Sequence, residues 1–218
     1  MIRTSFTENV VDPAPAEVVI ATAVAFASSV FVDMSSCLFS EDIDVSKYDF
    51  IYACAQKNFG PAGITLVIAK KELISKSNPE LPNILRYDAH ASEKSMLNTP
   101  NTFGWYVAGK MFDWYTKEGG VKKMKERSIK KSDALYSLID NSDFYINPVN
   151  KAQRSICNVV FTLSNPDLDN KFLEESDTQG LKYLKGHRTV GGMRASIYNS
   201  LPMEAVESLV DFMRSFET

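Results

Sequence analysis

Apolar residues fall in short runs over the first third of the chain and in helical spacing over the rest. Residues 30–34, 50–55 and 64–69 are apolar and rich in β-branched side chains, which predicts three short strands, the first delivering Asp33 at its end. Asp44-Val45-Ser46 reads as a turn. Between the last two strands lies Gln56-Lys57-Asn58-Phe59-Gly60-Pro61-Ala62-Gly63, a polar loop punctuated by Gly and Pro. Short strands joined by tight polar loops predict part of a larger α/β sheet.

From Thr102 the period becomes helical. Phe103, Tyr106, Val107, Met111 and Trp114 fall near one face, and Gly119-Gly120 ends the helix. A second helix is predicted over 121–139, with Met124, Leu135, Leu138 and Ile139 apolar, and 155–163 reads as a strand. Asn165-Pro166-Asp167 opens a further helix that ends near Gly180. A strand pair is expected at 181–184 and 194–198, joined by a Gly-rich turn. Pro202 suits the first position of the last helix, whose buried stripe is Met203, Val206, Leu209, Val210 and Met213. The segment after Gly119 therefore reads as a small α+β domain around its own sheet, with no internal repeat and no low-complexity linker.

The most apolar run, 18–32, is too short to span a bilayer comfortably, and Ser28, Ser29 and Asp33 end it. Glu8, Asp12 and Glu17 precede it where a signal peptide would carry basic residues, so it reads as buried structure leading into a core strand. No membrane partner is expected. Hydrophobic residues are 44% and charged residues 23% of the 218, an ordinary globular balance, and a formal charge of −3 argues against nucleic acid. The Lys-rich stretch 122–131 also carries Glu126, with Asp133 just beyond, and reads as a solvated helix face. Three widely spaced cysteines, Cys37, Cys54 and Cys157, fit a reducing compartment and no disulfide framework. Two histidines, His90 and His187, make no zinc constellation, and no metal site is expected.

Three local features can carry chemistry. Lys57 follows an apolar strand and precedes a Gly-Pro-Ala-Gly loop; a buried lysine loses its proton more easily, and a neutral amine condenses with an aldehyde. A solvated lysine at a strand end is the plain alternative. Asp33 ends a neighbouring strand, where a carboxylate can keep a pyridine nitrogen protonated; it can equally be a turn cap bonding to Ser35 or Ser36. Gly186-His187-Arg188 and Gly191-Gly192-Met193-Arg194 put two arginines beside permissive glycines, suited to bidentate contact with carboxylate or phosphate, or else a surface turn with solvated arginines.

The run 51–63, IYACAQKNFGPAG, resembles the cofactor-lysine segment of the phosphoserine aminotransferases, a family of class V, fold-type I pyridoxal-phosphate enzymes. The likeness continues through Asp33-Met34-Ser35-Ser36, Asp44-Val45-Ser46-Lys47-Tyr48, Leu97-Asn98-Thr99-Pro100 and Ile139-Asp140-Asn141-Ser142. It extends through 184–188, LKGHR, and 191–199, GGMRASIYN. The resemblance runs from about residue 29 to the end of the chain. It implies an α/β fold: the end of a large domain with a mainly parallel, incomplete sheet (1–118, of which 1–28 match poorly), then a small α+β C-terminal domain (119–218).

The resemblance also implies roles. Lys57 would hold pyridoxal 5'-phosphate through a Schiff base and move the proton at the substrate carbon. Asp33 would pair with the pyridine nitrogen, and Gln56 would help hold the cofactor. Asn98 and Thr99 would reach the cofactor phosphate of a neighbouring subunit in a homodimer, and His187, Arg188 and Arg194 would bind substrate phosphate and carboxylate. The reaction would be amino transfer between glutamate and a phosphorylated keto acid, 3-phosphohydroxypyruvate, in serine biosynthesis, by a cytoplasmic enzyme. The chain carries only the later part of the family's pattern. It lacks the Gly-Arg phosphate turn and the ring-stacking aromatic, and Thr7 in Thr4-Ser5-Phe6-Thr7-Glu8-Asn9 is a scrambled counterpart of a phosphate-binding threonine. The alternatives are a truncated, non-catalytic remnant acting through folding or dimer contacts, and a cysteine desulfurase, for which Cys37, Cys54 and Cys157 have no evident activating neighbour.

Overall fold

Connection lengths decide the pairing of the strands. The computed structural model describes residues 22–26 and 29–218, so Thr7 and the start of the apolar run 18–32 lie outside the described residues. The chain divides into two compact units, one running to Leu38 and resuming over Ile43–Lys117, the other made of Phe39–Asp42 and Glu118–Thr218.

In the first unit, β1 (Thr22–Phe26), β2 (Ser29–Asp33), β3 (Phe50–Cys54) and β4 (Thr65–Ala69) form one sheet in the order β1-β2-β3-β4. The expected sheet was mainly parallel, but only β2–β3 is; β1–β2 and β3–β4 are antiparallel. A parallel neighbour requires a crossover of a dozen or more residues, and only the stretch between Asp33 and Phe50 is that long. The short links on either side can only turn back. Beyond the sheet come α1 (Lys71–Ile74), α2 (Tyr87–Ser92) and α3 (Thr102–Lys117).

Helix α3 does not bury the face its large residues suggested. Phe103 and Tyr106 are 71% and 64% exposed, whereas Gly104, Ala108 and Tyr115 are buried. The small residues allow close approach: a Cβ on Gly104 would lie 2.9 Å from Ile64 Cδ1, and one on Gly60 3.5 Å from Ala108 Cβ. The helix thus seats its backbone against the loop that contains Lys57. Gly119, at φ 96°, begins the turn into the next helix, as its position after α3 predicts.

The second unit packs α4 (Gly120–Asp140), α5 (Asp169–Thr178) and α6 (Met203–Glu217) around an antiparallel sheet of β5 (Tyr145–Ile146), β6 (Asn158–Leu163) and β7 (Met193–Ser196). Its core joins Leu135 and Ile139 of α4, Val159 and Phe161 of β6, Phe172 of α5 and the Val206, Leu209 and Met213 stripe of α6. Tyr145, Phe161, Phe172 and Phe212 meet edge to face at centroid distances of 5.0 to 6.2 Å.

Three expectations are corrected here. Residues 181–184 form no strand; a lone bridge joins Lys185 to Met193, and β7 pairs with β6 instead. Positive φ at Tyr183, Gly191 and Gly192 bends this stretch away from ladder geometry. The Lys-rich stretch is not wholly solvated either: Lys131 is 2% exposed, because Met124, Ser128, Lys131 and Leu135 share the buried face of α4. Its ammonium donates to the Tyr198 and Leu201 carbonyls at 2.6 and 3.0 Å, and burial pulls its pKa down to about 8. Pro202 also sits one position earlier than expected, as the residue capping α6. Among the described residues no helix is long and apolar enough to cross a membrane.

Candidate active site

Parallel strands end on the same edge of a sheet, and ligands of α/β sheets gather at the carboxyl ends of such strands. Asp33 is the last residue of β2 and lies opposite Tyr52 in β3, which ends two residues later at Cys54. Lys57 follows three residues on, in the loop 55–64 that crosses this edge before β4. The topology therefore brings the Asp33 carboxylate and the Lys57 loop to one sheet edge.

Hydrogen bonds hold both. The Ala55 carbonyl accepts from the amides of Asn58, Phe59 and Gly60 at 2.9 to 3.2 Å, coiling the loop under Lys57. Asn58, buried, donates from its side-chain amide to the Leu38 carbonyl at 3.0 Å, and its own carbonyl accepts from the Tyr115 phenol at 2.7 Å. Phe59 is buried and stacks on Phe112 of α3. On the β2 side, the Cys54 amide donates to Ser35 Oγ at 2.9 Å and the Met34 amide to the Tyr52 carbonyl at 2.8 Å.

Asp33 does cap a turn, accepting from the Ser35 amide at 2.8 Å. Burial first, then the Asp33 charge across the β2–β3 pair, push the Tyr52 pKa up to about 12. Lys57 is half-buried, and among the described residues no carboxylate pairs with its ammonium. An amine with no paired carboxylate, at the same sheet edge as a turn-held carboxylate, is a donor set that fits an aldehyde-bearing pyridine cofactor. Gln56 is exposed on the same loop. Asn98 and Thr99 are exposed in the segment leading to α3, whose first turn Asn101 caps by accepting from the Gly104 amide at 3.0 Å.

His187, Arg188 and Arg194 belong to the second unit. His187 and Arg188 are exposed on a tight turn closed by the Gly191 amide on the His187 carbonyl and the Gly186 amide on the Gly192 carbonyl, both at 2.8 Å. His187 Nδ1 lies 2.7 Å from the Thr189 hydroxyl. Arg194, on β7, keeps its Nε buried with no protein acceptor, an orphaned donor of the kind an anionic ligand satisfies. A cleft of about 520 Å³ in the same unit, lined by Tyr136, Asp140, Lys151 and Arg154, contains none of these residues, and Asp140 already pairs both of its cations. Cys37 and Cys157 are buried, and burial pushes the Cys157 thiol up, away from the reactive thiolate.

Tyr52, Asn58 and Tyr115 are the residues that sequence reasoning missed. Tyr52 stands out in an apolar strand only once its register with Asp33 is known. Asn58 and Tyr115 meet across 57 positions of chain, and no local pattern marks that contact.

A fold that offers a lysine loop and a carboxylate at the ends of a parallel strand pair, followed along the chain by a small α+β unit, points to a class. The chain belongs to the class-V aminotransferases, whose family model matches residues 10–209. It is 54% identical over 185 residues to the phosphoserine aminotransferase of Buchnera aphidicola subsp. Acyrthosiphon pisum, covering 85% of this chain and 51% of that protein. The solved phosphoserine aminotransferase of Bacillus circulans subsp. alkalophilus superposes with a TM-score of 0.85 at 39% identity, over 88% of this chain and 54% of that one. A phosphoserine aminotransferase of Trichomonas vaginalis, solved with PLP bound, superposes with a TM-score of 0.81 at 36% identity, over 87% and 55%. The chain thus spans about half the length of the relatives it matches.

Proposed function

We propose that this chain carries the lysine-bearing half of a phosphoserine aminotransferase, transferring an amino group between glutamate and 3-phosphohydroxypyruvate to give phosphoserine and 2-oxoglutarate. The observation that carries the reading is the shared sheet edge of Asp33 and the Lys57 loop. Residues 1–118 are then the cofactor-binding part and 119–218 the small domain. Bound there, pyridoxal 5'-phosphate supplies an aldehyde and an electron-withdrawing ring.

Lys57 would hold the cofactor through its amine and would move the proton at the substrate α-carbon. Asp33 would pair with the ring nitrogen and keep it protonated, and Gln56 would help hold the cofactor. Arg194, through its orphaned Nε, and Arg188 bind carboxylate or phosphate of the substrate, with His187 beside them. Asn98 and Thr99 complete the phosphate site of a second copy in a homodimer. The exposed aromatics of α3, Phe103, Trp105, Tyr106 and Phe112, support an assembly larger than this chain. A place in cytoplasmic serine biosynthesis follows from the substrates.

The test is to add pyridoxal 5'-phosphate to the purified chain, trap with borohydride, and map the label by peptide mass spectrometry. Label on Lys57 that Lys57→Ala abolishes and glutamate displaces supports the reading. An unlabelled Lys57 favours a remnant that acts only through folding or dimer contacts.

A further inference from the structure

The sheet of the second unit has two different faces. Val159 and Phe161 of β6, with Met193 and Ala195 of β7, point into the core. The alternate positions point the other way: Asn158 and Val160 on β6, Arg194 and Ser196 on β7. Register sets the neighbours on that outer face. Asn158 lies opposite Ser196 and Val160 opposite Arg194, which makes Asn158 a diagonal neighbour of Arg194. Such a pair stands about 7–8 Å apart, within reach of a long side chain.

Asn158 is held in one orientation. Its Oδ1 accepts from Ser196 Oγ at 3.2 Å and from the Tyr198 phenol at 3.3 Å. Those bonds fill both acceptor positions of the oxygen and leave the two N–H donors of the amide, which no group among the described residues accepts. Arg194 is half-buried with its Nε orphaned, and neither β6 nor β7 carries an acidic residue. A cation and an oriented neutral amide thus share one sheet face.

We propose that Asn158 is a specificity-determining residue of the anion site at Arg194, its side-chain amide donating to a second oxygen of the anion that Arg194 holds. That the anion belongs to a substrate rests on the function proposed above; the placement of Asn158 beside Arg194 does not. An arginine alone attracts any anion, and a second donor of fixed direction on a rigid strand selects its position and tilt. Ser196 and Tyr198 act through that amide. Without them it can turn over and present its carbonyl oxygen to the anion, replacing attraction by repulsion.

The test is to titrate the 15N-labelled chain with glutamate and, separately, with inorganic phosphate. NMR follows the Arg194 Nε–H and the Asn158 side-chain amide, the latter assigned by its loss in Asn158→Ala. Both signals should shift along one binding curve, and the probe that moves them identifies the anion as carboxylate or phosphate. Asn158→Ala should weaken that probe about tenfold, the worth of one hydrogen bond to a charged group. Ser196→Ala combined with Tyr198→Phe leaves the amide present and unheld, and should give a smaller loss. An Asn158 amide that stays still while Arg194 titrates overturns the proposal, as does unchanged affinity in Asn158→Ala. An Arg194 signal that neither probe moves overturns it too. None of these readings needs cofactor, so an unlabelled Lys57 would count against the proposed function alone.

Discussion

The phenol of Tyr115 donates to the main-chain carbonyl of Asn58 at 2.7 Å, with both residues buried. This bond ties the last turns of α3 to the residue after Lys57. Asn58 is tied a second time by its side chain, which reaches the Leu38 carbonyl. The lysine therefore projects from a loop pinned on both sides, the preorganisation that a covalent cofactor site needs.

Tyr115→Phe keeps the ring and removes only the donor. The Asn58 carbonyl loses this buried bond, at a cost of about 1–3 kcal/mol. Urea unfolding of the first unit should show that loss, and the Phe59 and Gly60 amides should exchange faster with solvent. Unchanged protection of those two amides would mean that Tyr115 does not hold the loop.

Strands and long helices were legible in the sequence because burial there follows the period of the element. The strand at 30–34 is realised at Ser29–Asp33 and the helix at 121–139 as Gly120–Asp140. The sequence reading missed the pairing, although the short links flanking β2 and β3 dictate antiparallel neighbours once β1 is recognised as a strand. The face of α3 misled for a physical reason: its burial is governed by close backbone approach at Gly104 and Ala108, and large apolar residues point elsewhere. Lys131 misled too, since a charge count does not reveal that two carbonyls of the segment between β7 and α6 accept its ammonium. At the site, Lys57 and Asp33 were visible as types and positions, whereas Tyr52 needed the β2–β3 register.

Lys131 gives the second unit a pH dependence of definite sign. Its folded pKa, about 8, lies below the usual lysine value. Between these values the unfolded chain binds more protons than the folded one, so stability rises as pH increases from about 8 to about 10. The rise is at most roughly 2–3 kcal/mol, from the size of the shift. Lys131→Met should remove it while lowering stability at every pH through the unpaired Tyr198 and Leu201 carbonyls. Denaturant midpoints of both proteins across that range check the slope; parallel curves would refute it.

Asp140 acts in acid. Arg154 grips it with both guanidinium nitrogens, at 2.9 and 2.7 Å, while stacking over Tyr136 at 4.6 Å. The Arg154 hydrogen bonds hold the Asp140 pKa down at about 2. A lowered carboxylate pKa contributes stability that is complete above its unfolded value and is lost as pH falls from about 4 to about 2. Asp140→Asn should cost about 1–2 kcal/mol at neutral pH. It should also flatten the acid limb of the stability curve, measured by circular dichroism melts from neutral pH downward.

Gly192 links the fold of the second unit to its arginines. At φ +61° it occupies the left-handed region, and a Cβ there would lie 2.8 Å from both the Phe161 carbonyl oxygen and Thr162 Cγ2. Gly191, at φ +81°, has nothing within 4 Å of the same position. Gly191→Ala therefore meets only the backbone preference, about 1–2 kcal/mol. Gly192→Ala must in addition push β7 away from β6, which carries Arg194 with it and strains the Gly186–Gly192 bond that closes the His187–Arg188 turn. The expected result is a loss of about 3 kcal/mol or more for Gly192→Ala, with faster exchange of the Arg194 amide. Phosphate or glutamate binding, read by calorimetry, should weaken in Gly192→Ala and hold in Gly191→Ala. Equal effects of the two substitutions would show that strand spacing at β6–β7 does not position the arginines.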